Sequence, residues 1–260
     1  MSPSPLAGSP LAGRHALVTG GTRGIGRAIA AGLRSSGARV TVLGRDADML
    51  ARVVAAGDAH ASVVADVTDA AALKAAIEGA ATEDRPIDVL VANAGGALSK
   101  PFSKTRGDDF ADMLNLNFMG VVNAVQSVLP GMMETGFGRI VAIASTAGLK
   151  GYPYVTAYCA AKHAVVGLVR ALAQETAGSG VTVNAVCPGF TDTDLVADSL
   201  DRIVAKTGRS REAALAELTK HNPQGRLVTP SEVADAVLWL CGAGAGAVTG
   251  QTIAVAGGEV

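Results

Sequence analysis

An α/β fold, one doubly wound parallel sheet of about seven strands with helices on both faces, is predicted by three features of the sequence. Short apolar, β-branched runs alternate along the chain with longer segments of helical spacing. The runs are predominantly apolar and are read as not alternating apolar with polar, as expected of parallel strands covered on both faces. The length, 260 residues, suits a single domain of this kind and suffices to bury a sizeable core.

In order, the expected strands are Ala16-Leu17-Val18, Val40–Leu43, Ser62–Ala65, Val89–Ala92, Ile140–Ile143, Val181–Val186 and Thr252–Val255. Helical spacing falls between them at Ile25–Ser35, Ala70–Glu83, Asp108–Leu129, Tyr154–Ala177 and Ser231–Leu240. Repeated βα units imply right-handed crossovers. One stretch, Phe190–Val228, breaks the rhythm after the sixth strand, where ligands of open α/β sheets bind. It is expected to be a lid, hinged at Pro188-Gly189, rather than a second domain. Residues 1–13 repeat PLAG and are expected to form a disordered leader to a domain covering 14–260.

Composition narrows the classes of function. The net charge of −1 leaves no basic face for nucleic acid. Cys159, Cys187 and Cys241 form no CxxC pair, so reduced thiols in a cytoplasmic protein are expected, with neither disulfide nor metal site. No apolar run reaches the ~20 residues of a membrane span, and the first residues lack the basic, then apolar, order of a signal peptide.

The first strand runs into Thr19-Gly20-Gly21-Thr22-Arg23-Gly24-Ile25-Gly26, after which a helix begins. Glycines there let the backbone approach a pyrophosphate, and the helix start offers unpaired N–H groups and partial positive charge. This makes the sheet Rossmann-type and points to a dinucleotide. Farther on, Tyr158 and Lys162 are four apart in a helical segment and share a face. A lysine ammonium near a phenol of pKa ~10 lowers that pKa. Ser145, just past the fifth strand, lies at the strand end that faces the crevice.

TGGTRGIG, Asp66-Val67, Asn93-Ala94-Gly95, Asn117, Ser145, Tyr158-x-x-x-Lys162 and Pro188-Gly189, in this order, resemble the short-chain dehydrogenase/reductase family over about Arg14 to Gly258. Family members usually read Asn-Asn-Ala-Gly where this chain has Ala92 first. The resemblance implies an oxidoreductase moving a hydride between a nicotinamide cofactor and an alcohol/carbonyl pair. Tyr158 is then the general acid or base, Ser145 a donor to the substrate oxygen, and Lys162 the group that depresses the tyrosine pKa and holds the nicotinamide ribose. Asn117 fixes a water that relays protons to Lys162. The cofactor would lie against Gly20, Thr22, Arg23, Gly24, Ile25 and Gly26, then Asp66 and Val67 at the adenine. Asn93, Ala94, Gly95, Tyr158, Lys162, Pro188, Gly189, Thr191 and Thr193 complete that set.

NAD-using relatives place an acid where this chain has Gly44, and Arg45 follows it, with Arg23 in the glycine loop. Two guanidinium groups suit a 2′-phosphate, so NADP(H) is expected, with NAD(H) the alternative if Asp46 takes the ribose hydroxyls. The stretches around Ser145 and Cys187–Phe190 are similar to 3-oxoacyl thioester reductases and polyketide ketoreductases. Pocket candidates Thr146, Gly148, Leu149, Tyr152, Tyr154 and Phe190 are mostly apolar, which suits acyl chains or rings. Gly136 and Ser179 stand where carrier-dependent relatives hold docking arginines, so a coenzyme A thioester is expected over a carrier-bound chain. Cations Arg202, Lys206, Arg209, Arg211 and Lys220 of the lid could grip its phosphates or form a solvated face. Reduction or oxidation of another cyclic ketone, steroid or sugar alcohol, and a nicotinamide-sensing regulator, remain as alternatives. The family likeness also implies a homotetramer, paired through the two long helices.

Overall fold

The computed structural model describes residues 9–81 and 86–260. One sheet carries seven parallel strands in the order β3-β2-β1-β4-β5-β6-β7. They are β1 (His15–Thr19), β2 (Arg39–Gly44), β3 (Ala61–Val64), β4 (Val89–Ala92), β5 (Gly138–Ile143), β6 (Val181–Pro188) and β7 (Thr252–Val255). All seven expected strands are present, and the Rossmann-type doubly wound architecture is confirmed. Strand order reverses at β1, which pairs with β2 on one side and β4 on the other. The crevice beyond these strand ends is the switch point where such sheets bind ligands.

The pleat divides the core into two layers. Leu17, Leu90 and Ile140 point to one face, where they meet α3 (Ala70–Ala80), α5 (Gly120–Thr135) and α6 (Thr156–Thr176). Val18, Val42 and Val91 point to the other, against α1 (Gly24–Ser35), α2 (Ala47–Ala55) and α9 (Pro230–Cys241). Alternate residues of one buried run thus serve opposite layers, which is why the runs read as largely apolar, with the buried Thr182 and Asn184 of β6 as interruptions. Side-chain caps fix several helix starts: Asp46 accepts from Met49 N at 3.0 Å and Asp69 from Ala72 N at 3.0 Å. Thr229 and Glu232 form a capping box at α9, with Pro230 in its first turn.

Two expectations are corrected. The segment expected as one helix over Asp108–Leu129 is α4 (Gly107–Leu114), a π-helical turn (Asn115–Met119) and α5. The leader ends earlier than residue 13: Leu11 is 3% exposed, packs with α1 and β2, and its N–H donates to Ser36 O. Residues 1–8 of that leader, and the expected helix end at Glu83, lie outside the described residues. A further helix, α2, follows β2.

The 190–228 segment folds as α7 (Asp194–Thr207) and α8 (Arg211–Thr219). Val196, Leu200 and Ala214 make a small core of their own beneath Phe190, Ile203 and Leu218. Among the described residues no helix is long and apolar enough to cross a membrane.

Candidate active site

The glycine loop is shaped by what a side chain would strike. Gly20 has φ +64°, and a Cβ there would lie 2.9 Å from Ala94 Cα and 2.9 Å from Asn93 Nδ2. A Cβ at Gly26 would overlap the Gly20 carbonyl, so α1 can start this close to the loop only without one. Asn93 ties the loop to β4: its Nδ2 donates to Thr19 O and Gly20 O, both at 3.0 Å. Thr19 Oγ1 in turn accepts from Asn93 N and Ala94 N at 3.0 Å each. The loop's shape therefore rests on Asn93 and not on the residue before it, and Ala92 in place of a second asparagine leaves it intact. The resulting cradle, backed by the α1 N-terminus, fits a dinucleotide pyrophosphate.

At the adenosine end of the crevice, Arg45 lies 3.6 Å from Asp66 Oδ2, and Arg23 lies 3.6 Å from Asp194 Oδ2. Both arginine side chains are mostly exposed. Asp66 Oδ1 accepts from Thr68 N and Thr68 Oγ1, and these bonds, more than Arg45, hold its carboxyl below the usual range. Asp46 caps α2 through its Oδ1. Gly44 sits against Thr22, whose Cγ2 a Cβ would meet at 3.3 Å. On the lid side, Thr193 packs on Gly24, whose φ is +51°, and Thr191 is buried with its hydroxyl on Gly189 O. Val67 lies against Gly120 at the start of α5. Pro188 ends β6 beside these groups.

The strand ends bring the four expected catalytic positions together. Ser145, directly after β5, caps a short 3-10 turn through Ala147 N at 3.1 Å. Its hydroxyl also lies against the Tyr158 phenol. That contact lowers the phenol's pKa, but burial outweighs it and pushes the value up to about 12. Lys162, 4% exposed, donates to Ile143 O at 2.8 Å, with its ammonium 5.7 Å from the Tyr158 ring centre. Burial pulls its pKa down to about 8. Asn117, fully buried, sits in the π turn. Its Oδ1 accepts from Gly96 N at 3.1 Å and its Nδ2 donates to Met113 O at 3.1 Å. The wide turn brings it to Lys162: a Cβ at Gly95 would fall 2.7 Å from Asn117 Oδ1 and 3.6 Å from Lys162 Nζ. His163 bonds back to Cys159 O on the exposed side of α6, away from these groups.

Tyr152 and Phe190, both expected in the pocket, meet edge to face with centroids 6.0 Å apart. Sequence reasoning missed two groups here, His221 and Glu259, which reach the site from the far end of the lid and from beyond β7. Several cations of the 190–228 segment have partners within it. Arg211 pairs with Asp201, Lys220 with Glu217, and Arg202 donates to Ser199 and Asp198 O. Gly136 is the left-handed cap of α5 at φ +69°, a conformation that disfavours any side chain there.

A Gly-rich βα turn at the switch point of a parallel sheet, with a half-buried Tyr158 and Ser145 and a buried Lys162 opposite, defines a nicotinamide-dependent oxidoreductase. Residues 14–203 match the model of the short chain dehydrogenase family, and the chain belongs to it. It is 38% identical to a 3-oxoacyl-[acyl-carrier-protein] reductase of Haemophilus influenzae, covering 95% of this chain and 98% of that one. It is 36% identical to an acetoacetyl-CoA reductase of Rhizobium meliloti over the same shares, 95% and 98%. A variant of actinorhodin polyketide ketoreductase, solved with NADPH, superposes with a TM-score of 0.89 at 39% identity, over 95% of this chain and 97% of that one.

Proposed function

We propose that the protein reduces a 3-oxoacyl thioester with NADPH, or oxidises the 3-hydroxyacyl thioester in reverse, and that coenzyme A carries the acyl chain. The observation that carries this reading is the convergence of Ser145, Tyr158 and Lys162 under a wall built from Tyr152 and Phe190. Bound NADPH supplies the hydride. Tyr158 gives its proton to the carbonyl oxygen as negative charge builds there, and the Ser145 hydroxyl donates a hydrogen bond to the same oxygen. Lys162 stabilises the phenolate that remains. Asn117, with its amide spent on Gly96 and Met113, holds the loop beside Lys162 and so shapes the place where a relaying water would sit.

NADP(H) is favoured because Arg23 and Arg45 flank the end of β2, no acid stands at Gly44, and Asp46 is a helix cap. Their present partners, Asp194 and Asp66, are exposed enough that such pairs are worth ~0–1 kcal/mol and yield readily to a phosphate. Coenzyme A is favoured over a carrier because Gly136 and Ser179 offer no charge. The test is an NADPH-oxidation screen over acetoacetyl-CoA, longer 3-oxoacyl-CoAs, their carrier-bound forms and simple ketones, repeated with NADH. The highest kcat/KM is expected for a 3-oxoacyl-CoA with NADPH. A ketone preferred over every thioester would overturn the substrate, and a preference for carrier-bound chains would overturn the coenzyme. For the phosphate reading, Arg45→Ala should cut the NADPH-over-NADH preference tenfold or more, from the loss of a charge-assisted contact of ~1.5–3 kcal/mol. Equal losses on both cofactors would show that Arg45 does not read the phosphate.

A further inference from the structure

Glu259 has a buried carboxylate whose two oxygens are treated differently. Its side chain is 1% exposed. Oε1 takes the Tyr152 hydroxyl and lies 3.1 Å from Lys150 Nζ, while Oε2 is buried near Gly189 without a hydrogen-bond partner among the described residues. Because Tyr152 has one proton and the carboxylate only accepts, that proton goes to Glu259. The Thr146 hydroxyl, 2.7 Å away, must then donate to Tyr152. A chain of donors therefore runs from the residue after Ser145, through Tyr152, to Glu259.

The Tyr152 ring at the middle of this chain carries both roots of the lid. Phe190, where the lid leaves β6, meets it edge to face at 6.0 Å, and His221, where the lid returns, at 5.9 Å. Phe190 and His221 stack on each other at 6.2 Å. A phenol able to swing would release both roots together. Burial and the adjoining carboxylate both raise the Tyr152 pKa, so the ring stays a neutral donor to Glu259 at every physiological pH.

We propose that Glu259 is a positioning residue of the substrate site: by holding the Tyr152 hydroxyl it fixes the ring against which both roots of the lid pack, and so sets the wall that the acyl chain meets. Its kinetic consequence rests on the carbonyl site proposed above; its effect on the lid does not. The experiment measures hydrogen exchange of the lid amides, and acetoacetyl-CoA kinetics with NADPH, for wild type, Glu259→Ala, Glu259→Gln, Tyr152→Phe and the Glu259→Ala/Tyr152→Phe double variant. Glu259→Ala and Tyr152→Phe should each speed exchange in α7 and α8 about tenfold and leave β5 and β6 unchanged. Both should raise KM for acetoacetyl-CoA about fivefold or more, with kcat within about threefold of wild type. The double variant should be no worse than the worse single one, since both cut the same link. Glu259→Gln, whose amide oxygen still accepts from Tyr152, should restore the lid. Unchanged lid exchange, multiplying losses, or no rescue by glutamine would each overturn the assignment. So would faster exchange over the whole sheet, which would make Glu259 a residue of general stability. If wild type does not reduce acetoacetyl-CoA, the thioester reading fails while the exchange measurement still decides the role of Glu259.

Discussion

Tyr158 and Lys162 are driven in opposite directions by the same burial, because one becomes charged by losing a proton and the other by gaining it. Lys162 falls from 10.5 to about 8. Between those values the unfolded chain binds a proton that the native state lacks, so stability rises with pH over that window. Tyr158 rises from 10.0 to about 12, where the native state keeps a proton that the unfolded chain has lost, and stability falls. From pH 7 to 10 the lysine dominates, and wild type should gain on the order of 2 kcal/mol relative to Lys162→Met. Denaturant unfolding of both at pH 7, 8.5 and 10 checks this; parallel curves would refute it. For the proposed proton donor, Tyr158→Phe should lose at least ~10²-fold in turnover with cofactor affinity nearly unchanged. Retention of more than about a tenth of wild-type turnover would remove Tyr158 from that role. The Tyr158–Lys162 pair was legible because helix spacing puts both on one face and Ser145, just past β5, marks the crevice that this face meets. Glu259 was not, because 107 residues separate it from Tyr152 and no periodicity links them.

Elements were legible where burial leaves a run with one kind of residue. β1, β4, β5 and β6 are buried along their whole length; β4 is correspondingly all apolar, whereas β6 keeps the buried polar residues Thr182 and Asn184. In α2 only Leu50 and Val53 are buried, too few to make a readable stripe in nine residues. Leu11 was lost among the prolines and glycines around it, although it fills a gap beside α1. At the glycine loop, sequence and geometry meet most tightly. Gly26→Ala would drive a methyl into the Gly20 carbonyl and to 2.5 Å from Asn93 Nδ2, both of them fixed groups. Cofactor affinity should drop at least about tenfold while the circular dichroism stays that of the folded chain. Titrating NADPH by its fluorescence gives the answer, and an affinity equal to wild type would show that α1 can slide aside.

On the scale of the molecule, the helical layer containing α4 and α5 leaves Met119 39% exposed and Met133 48% exposed, and on the opposite layer Trp239 of α9 is 51% exposed. The homotetramer implied by the family resemblance is a testable expectation at this scale. Light scattering should give about four times the 26.0 kDa chain mass, and a value near one chain at micromolar concentration would contradict it. The π turn at Asn115–Met119 reaches across this same scale. One extra residue in a helical circuit is a change of phase of about 100°. Val121, Ala124 and Val128 meet the sheet, and Asn123 Nδ2 reaches Val67 O at 2.9 Å, only in the phase that the turn imposes. Removing a single residue between 115 and 119 would leave every amide free to remain helical, yet rotate all of α5 off the core. The odd residue that brings Asn117 to Lys162 is therefore also the reason that sixteen residues of helix face the right way.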